Sequence, residues 1–578
     1  MNISLSSCAN LVCLFGIACG CTGCTKESPS TASTGSGGAH VSFLDATEKS
    51  GVKFFTVCGG KDKDYVVEVN GAGVALLDYD LDADLDIYLV NGSKLSPPYG
   101  EGPGDPPPSD ALFRNMGDLK FEDVTEAAGL TESGFGCGVA VADYDNDGDP
   151  DIFVTQYGPD RLWQNNGDGT FSDVTAQAGV GDPEWGASAA FLDYDRDGWS
   201  DLCVVNYLVF NPATVKKRGE DTTCQYKGQL ILCGPIGLPT APCTLYRNRG
   251  DGTFEDASDR SGLRSVEPSY GLGIGVLDFD ADDWPDIYVA NDTRPNFLFR
   301  NRGDGTFEEI GMHSGVALND QAASQAGMGV ATVYLRPDAP EDLFVTNYED
   351  DTNTYYRNEG NGFFSEMTSE LGLAEPCFKH LGWATFFFDP DLDGDLDLFI
   401  AQGHVVAQAD AIPSSPGYRQ PNKLFLNDGS GRFRDVSSKA GPGLRVEKSS
   451  RGAAFGDLDG DGDADIVVNE IDNFATVLEN EGKPTNHWLA VRAVGTKSNR
   501  DGIGAVVRVK SGGRVQRWRV GSGSTYASQS ELTARFGLGS SGRVEELHVR
   551  WPTGVEERFA VPGVDRVVKV VEGEGAKE

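Results

Sequence analysis

Asp143 to Asp151 reads DYDNDGDPD, which sets Asp143, Asp145, Asp147 and Asp151 at positions 1, 3, 5 and 9 of a nine-residue loop, with Gly148 at position 6. A hard divalent cation takes six to eight oxygens at about 2.3–2.6 Å, and a tight loop can aim alternate carboxylates at one centre while the carbonyl of position 7 adds another oxygen. Glycine at position 6 admits the left-handed backbone that returns position 9 to the ion. Calcium suits this donor set. The twelve-residue helix-loop-helix site would carry its last carboxylate at position 12, between amphipathic helices. Here the flanking residues 138–142 and 152–155 read as strands.

The same register returns in Asp78, Asp80, Asp82, Asp86; in Asp193, Asp195, Asp197, Asp201; in Asp278, Asp280, Asp282, Asp286; in Asp389, Asp391, Asp393, Asp397; and in Asp457, Asp459, Asp461, Asp465. Six sets in one register are more than solvated Asp/Gly turns produce by accident. Two turns should be strained, because Ala83 and Asp283 stand where glycine belongs. A further repeat aligns DLFVTN with DIFVTQ and puts Tyr334, Arg336, Asp338, Pro340 and Asp342 at the odd positions, so its metal site is lost.

Around each loop one unit repeats. In the second copy residues 138–142 predict an inner strand, 152–155 a second, and 162–165 with 170–174 a hairpin across NGDG. Four short strands per unit, spaced by roughly 50 to 85 residues, predict propeller blades with insertions. The seventh unit leaves for KPTNHW without a fourth strand, whereas FLDATEKSGV from Phe43 looks like a fourth strand with no blade before it. The N-terminal strand should therefore complete the last blade and close the ring, which removes open sheet edges. The predicted fold is all-β: a seven-bladed β-propeller over residues 41–484, a small C-terminal β domain over 485–573 and a tail at 574–578.

The formal net charge is −40, which makes nucleic acid and anionic membrane surfaces poor partners. Six sets of four aspartates supply −24 of it, so the acidity is largely that of the metal sites. From residue 485 onward 15 basic residues face 10 acidic ones, a net of +5 that leaves −45 on the rest. That arginine excess suits an anionic ligand or docking on the acidic propeller, and docking is the expectation carried forward.

These repeats resemble the FG-GAP/VCBS family. The resemblance implies calcium loops on one face of a ring and a binding surface on loops of the other. In the last segment, GTKSNRDGIGA from Gly495, SQSEL from Ser528, FGLG from Phe536 and WPTG from Trp551 resemble the ASPIC/UnbV domain, so that the architecture as a whole is similar to a cartilage acidic protein-like bacterial family.

Residues 1–24 carry an apolar run too short to span a bilayer, and read as an export signal. Small residues before Cys19, Cys21 and Cys24, followed by a flexible Ser/Thr/Gly linker over 25–40, resemble a lipoprotein signal; a plain secretory signal is the alternative. No basic residue precedes the run, and none of the three cysteines has leucine three residues upstream. In an exported protein Cys224 and Cys233 are a disulfide candidate inside the longest insertion, between Tyr207 and Leu245, with Cys243 free or paired elsewhere. The chain is expected at the cell surface or outer membrane, in the periplasm or secreted, and touches a membrane only through a lipid anchor.

No familiar catalytic constellation is present. The histidines are scattered, His380 and His404 read as structural, and the glycines of GFGCGV lead into a strand and a metal loop rather than a helix. The function expected is a non-catalytic, calcium-binding adhesion or interaction module for a protein or polysaccharide ligand. A lyase-like polysaccharide-active enzyme on the same scaffold is the alternative. A lectin using Trp163 or Trp185 is a third reading, although these tryptophans suit a blade core better.

Overall fold

The computed structural model describes residues 41–96, 107–131, 134–482, 485–523 and 525–577. The export signal, the linker, Cys19, Cys21, Cys24 and the domain boundary at 484 lie outside the described residues. Among the described residues, seven four-stranded antiparallel sheets succeed one another, as propeller blades do. The second is built from Gly136–Ala142, Asp151–Gln156, Arg161–Asn165 and Phe171–Asp173. Its first strand is buried on both faces. Val139 and Val141 pack with Tyr88 and Val90 of the preceding sheet, and Ala140 and Ala142 pack with Phe191 of the following one. A period of two with apolar side chains on both faces is what a strand between two packed sheets requires.

The ring closes through the N-terminal strand. Phe43–Asp45 pairs antiparallel with Thr476–Asn480, Phe43 opposite Asn480, and so supplies the outer strand of the last sheet.

The C-terminal part folds as a three-stranded sheet, in which His487–Val494 runs parallel to Arg566–Val571, and a five-stranded sheet centred on Val506–Ser511 and Glu546–Arg550. Leu489, Val507, Phe536, Leu547 and Trp551 share its core. Residues 574–578, read from sequence as a tail, require correction: Ala576–Lys577 is an edge strand, with Lys577 opposite Glu557. Two paired residues are too short to show alternation in a sequence.

One segment of this domain enters the propeller. Residues 522–523 and 525–530 run along the inner strands of successive sheets, where backbone groups at a channel wall need partners. Val74 donates its N–H to Ser528 Oγ (3.1 Å), Gln529 N–H to the Val74 carbonyl (3.0 Å), and Val141 N–H to Gln529 Oε1 (2.8 Å). Thr385 N–H reaches Thr525 Oγ1 (2.9 Å) and Phe455 N–H reaches Ser530 Oγ (3.1 Å). The fit is close at Gly73, where a Cβ would lie 1.7 Å from the Ala527 carbonyl oxygen. Tyr526 reaches deepest, donating its hydroxyl to the Asn70 carbonyl (3.1 Å) and packing on Trp383 (4.8 Å between ring centres).

Candidate metal centres

Each acidic loop joins the first strand of a sheet to the second, and position 9 is the first residue of that second strand. Strand geometry therefore fixes one ligand and the turn must fold back to it. In the second loop the Asp143 carboxylate accepts N–H bonds from Asp147 (3.0 Å) and Gly148 (2.8 Å), while Asp151 accepts from Tyr144 (3.2 Å) and Asn165 (2.8 Å). The same pattern ties down Asp193 and Asp201, and Asp278 and Asp286. Three carboxylates in each of the first four loops bring oxygens within 4.8 Å of one another: Asp78, Asp80 and Asp86; Asp143, Asp145 and Asp151; Asp193, Asp195 and Asp197; Asp278, Asp280 and Asp282. Asp389, Asp391 and Asp393 repel one another in the same way, as do Asp457, Asp459 and Asp461.

The electrostatics suit a bound cation. Burial, reinforced by the neighbouring carboxylates, lifts Asp86 and Asp143 to about 8, Asp193 to about 7, and Asp278, Asp391 and Asp459 to about 6. The same burial lifts Asp151, Asp201, Asp286, Asp397 and Asp465 well above the usual carboxylate range. One oxygen each of Asp78, Asp80, Asp195, Asp280 and Asp397 is buried without a hydrogen-bond partner. Buried carboxylate oxygens with nothing donating to them fit a divalent cation held by oxygen ligands.

Ala83 and Asp283 take φ of 79° and 76°, in the left-handed region that Gly148, Gly198, Gly394 and Gly462 occupy in the other loops. For a side-chain-bearing residue that conformation costs about 1–2 kcal/mol. In the divergent repeat a cation is built into the chain: Arg336 Nη2 pairs with Asp342 (2.8 Å), whose other oxygen takes the Tyr355 hydroxyl (2.7 Å).

A recurrent asparagine ending the third strand escaped sequence reasoning. Its backbone N–H caps position 9, and its side-chain Nδ2 donates to the carbonyl of position 2 in the neighbouring loop. Asn165 reaches Tyr79, Asn248 Tyr144, Asn301 Tyr194, Asn358 Phe279 and Asn480 Pro390, while Asn115 reaches Leu458 across the ring closure. The signal available was an Asn before each Gly-rich hairpin, obscured because 29 residues separate Asp86 from Asn115 but only 14 separate Asp151 from Asn165.

The C-terminal domain sits on these loops. Arg492 approaches Asp78 (3.4 Å), Arg535 approaches Asp457 (3.3 Å), Arg514 pairs with Asp395 (3.0 Å), and Arg550 pairs with Asp283. Arg519 and Glu341 form a buried ion pair (2.8 Å). The resemblance-bearing strings supply contacts too: Asp501 accepts the Asp143 N–H (2.6 Å), Gly539 donates to the Leu392 carbonyl (2.9 Å), and SQSEL lies in the channel segment.

Cys224 and Cys233 are disulfide-bonded, whereas Cys243 is free. Trp163 and Trp185 are buried, at 4% and 2% exposure, and belong to packed cores, which removes them as sugar platforms. His404 is buried against Glu349 (3.1 Å).

The FG-GAP-like repeat model matches residues 78–154, 143–204, 278–333 and 389–468, and the ASPIC and UnbV model matches 495–577. Cartilage acidic protein 1 of Xenopus tropicalis is 27% identical over 320 residues, 53% of this chain and 45% of that protein; the Homo sapiens protein is 27% identical over 315 residues, covering 53% and 44%. The chain thus spans less than half the length of these curated relatives. Among solved structures, an Agrocybe aegerita lectin specific for non-reducing terminal N-acetylglucosamine is 18% identical, with 65% of this chain and 88% of that one covered and a TM-score of 0.38. A rhamnogalacturonan lyase of Bacillus licheniformis is 13% identical, with 88% and 91% covered and a TM-score of 0.32.

Proposed function

The chain is built of FG-GAP-like repeats, carries an ASPIC and UnbV domain at its C-terminus and is a distant homologue of cartilage acidic protein 1; from that premise we propose that it is an exported, calcium-stabilised propeller that binds a protein or polysaccharide without transforming it. The observation that carries this reading is the covering of the metal-loop face by the C-terminal domain through Arg492, Arg514, Arg519 and Arg535. Calcium in those loops serves as a staple, and a partner is left the opposite face. There the disulfide-closed insertion meets the 404–420 loop: Tyr226 donates its hydroxyl to Glu349 (2.7 Å), and its ring packs on His404 (4.9 Å). Long insertions on a rigid scaffold are where recognition concentrates. The disulfide favours an oxidising compartment.

In this reading the residues at positions 1, 3, 5 and 9 of each loop hold calcium, which supplies positive charge and no chemistry. The test is thermal unfolding with calcium and with chelator, followed by a polysaccharide array on the calcium form. Calcium-dependent stabilisation with glycan or protein binding and no turnover is the expected result. Cleavage products would replace this reading with an enzymatic one, and a melting temperature indifferent to chelator would remove the metal sites.

A further inference from the structure

The channel mouth opposite the metal loops opens into a cavity of about 480 Å³. Its position follows from the strands: Leu272 and Trp383, at the starts of Gly271–Leu277 and Gly382–Phe388, line it, whereas the metal loops leave from the ends of those strands. Asn70 and Trp383 form its floor, and both are held from behind by Tyr526 of the channel segment. The cavity is therefore a dead end. Ile231, Leu232 and Pro235, next to the Cys224–Cys233 bridge, form one wall. A volume between about 300 and 1,000 Å³ is that of a small-molecule site.

Four carboxylates line this cavity, Asp292, Glu349, Asp350 and Asp351, and no basic side chain does. Three are already answered. Glu349 is held by Lys227 (2.9 Å), His404 and Tyr226, Asp350 by Lys379, and Asp351 by the Gln325 amide (2.9 Å) and the Thr352 N–H (2.8 Å). Asp292 has the Tyr207 hydroxyl (2.6 Å), and among the described residues no ion pair joins it to a base. Arg294, two residues on, lies over the Tyr270 ring instead, at 5.6 Å. Asp292 is half-buried, and a partly desolvated carboxylate whose side-chain partner is a neutral donor gains from a cation brought by a ligand. Leu272, Met328, Leu381, Val405 and Val406 add apolar surface to the same lining, beside polar Thr293 and Ser324.

We propose that this cavity binds a small organic cation, an amine or ammonium group carried on an apolar body, with the charge on Asp292 and the body against Leu272, Met328 and Leu381. The site is separate from the calcium loops and lies on the face left to the macromolecular partner proposed above, though it does not rest on that reading. Its test is calorimetry on the calcium-loaded, disulfide-intact full chain with 2-phenylethylammonium, its neutral counterpart 2-phenylethanol, and phenylacetate. The cation is expected to bind at least about 10-fold more tightly than the alcohol, with phenylacetate weakest, and Asp292→Asn should lower cation affinity at least about 10-fold while moving the alcohol by less than about twofold. Should Asp292→Asn fail to fold, Leu232→Trp fills the cavity from its disulfide-closed wall and must lower cation affinity by a similar factor. Equal affinities for cation and alcohol, absence of binding by all three probes, or an affinity unmoved by the folded variants overturns the proposal.

Discussion

Arg519→Met should release the C-terminal domain from the propeller without unfolding either. Arg519 and Glu341 retain 9% and 1% side-chain exposure, and the pair uses both Nε (2.9 Å) and Nη2 (2.8 Å) on one carboxylate oxygen, which also accepts the Asp278 N–H (3.1 Å). Arg519 further donates to the Tyr334 hydroxyl (3.1 Å). Removing the guanidinium leaves Glu341 buried without its paired base, a loss of about 3–5 kcal/mol, whereas neutralising both partners costs far less. The opening that exposes the interface should then become about 10²- to 10³-fold more populated. Hydrogen exchange on the calcium-loaded full chain reads this at the Val141 and Gln529 amides, which are bonded across that interface. Arg519→Met should accelerate them by that factor, and Arg519→Met with Glu341→Gln should recover most of the protection. Exchange changed by less than about threefold in the single variant, or equally in single and double, would refute the pair as the anchor.

Three further outcomes follow from the same geometry. In chelated protein the loop carboxylates have folded pKa values raised above their unfolded ones, so the stability they contribute is fully present below the unfolded value of 3.8 and lost as pH rises from there through about 6 to 8; the melting temperature should fall across that window and calcium should abolish the fall. Asn248→Ala leaves the buried Tyr144 carbonyl without its neighbour's amide and should cost about 1–3 kcal/mol in urea unfolding, against a smaller loss for Asn427→Ala, whose amide bonds within its own loop to Leu396. Ala83→Gly relieves a left-handed φ of 79° and should stabilise the first loop by about 1 kcal/mol, seen as tighter calcium binding at that site.

Ligand spacing is local, so the six loops and their strained turns could be read without knowing what packs on what. Ring closure was also legible, because the strand missing from the last unit and the orphan strand from Phe43 are complementary deficits. The inter-blade asparagines were not, since their partners are backbone carbonyls, which carry no side-chain identity, and insertions scatter their spacing. Nor was the channel segment: apart from Tyr526, residues 522–530 are small or polar, with no periodicity, and acquire meaning only where inner strands offer unpaired N–H groups and Gly73 leaves room. Arginine enrichment announced docking in general terms; which loops it reaches depends on the tertiary path.

That path makes the six loops unequal. Four carboxylates and one calcium leave a loop at −2, and a nearby guanidinium lowers the charge that attracts the ion in the first place. Arg247 pairs with Asp195 and Asp197 in the third loop (2.5 and 2.6 Å), and Arg300 with Asp280 in the fourth (2.8 Å). Arg492 and Arg535 approach position 1 of the first and last loops. In the second loop the corresponding third-strand residue is Gln164, which donates to Asp145 (2.6 Å), and the domain contributes a further carboxylate, Asp501, beside Asp143. Coulomb's law then ranks the second loop above the first, third, fourth and last for calcium. If these loops hold calcium as proposed, stepwise chelation should empty that loop after those four, and Asp501→Asn should bring its release forward.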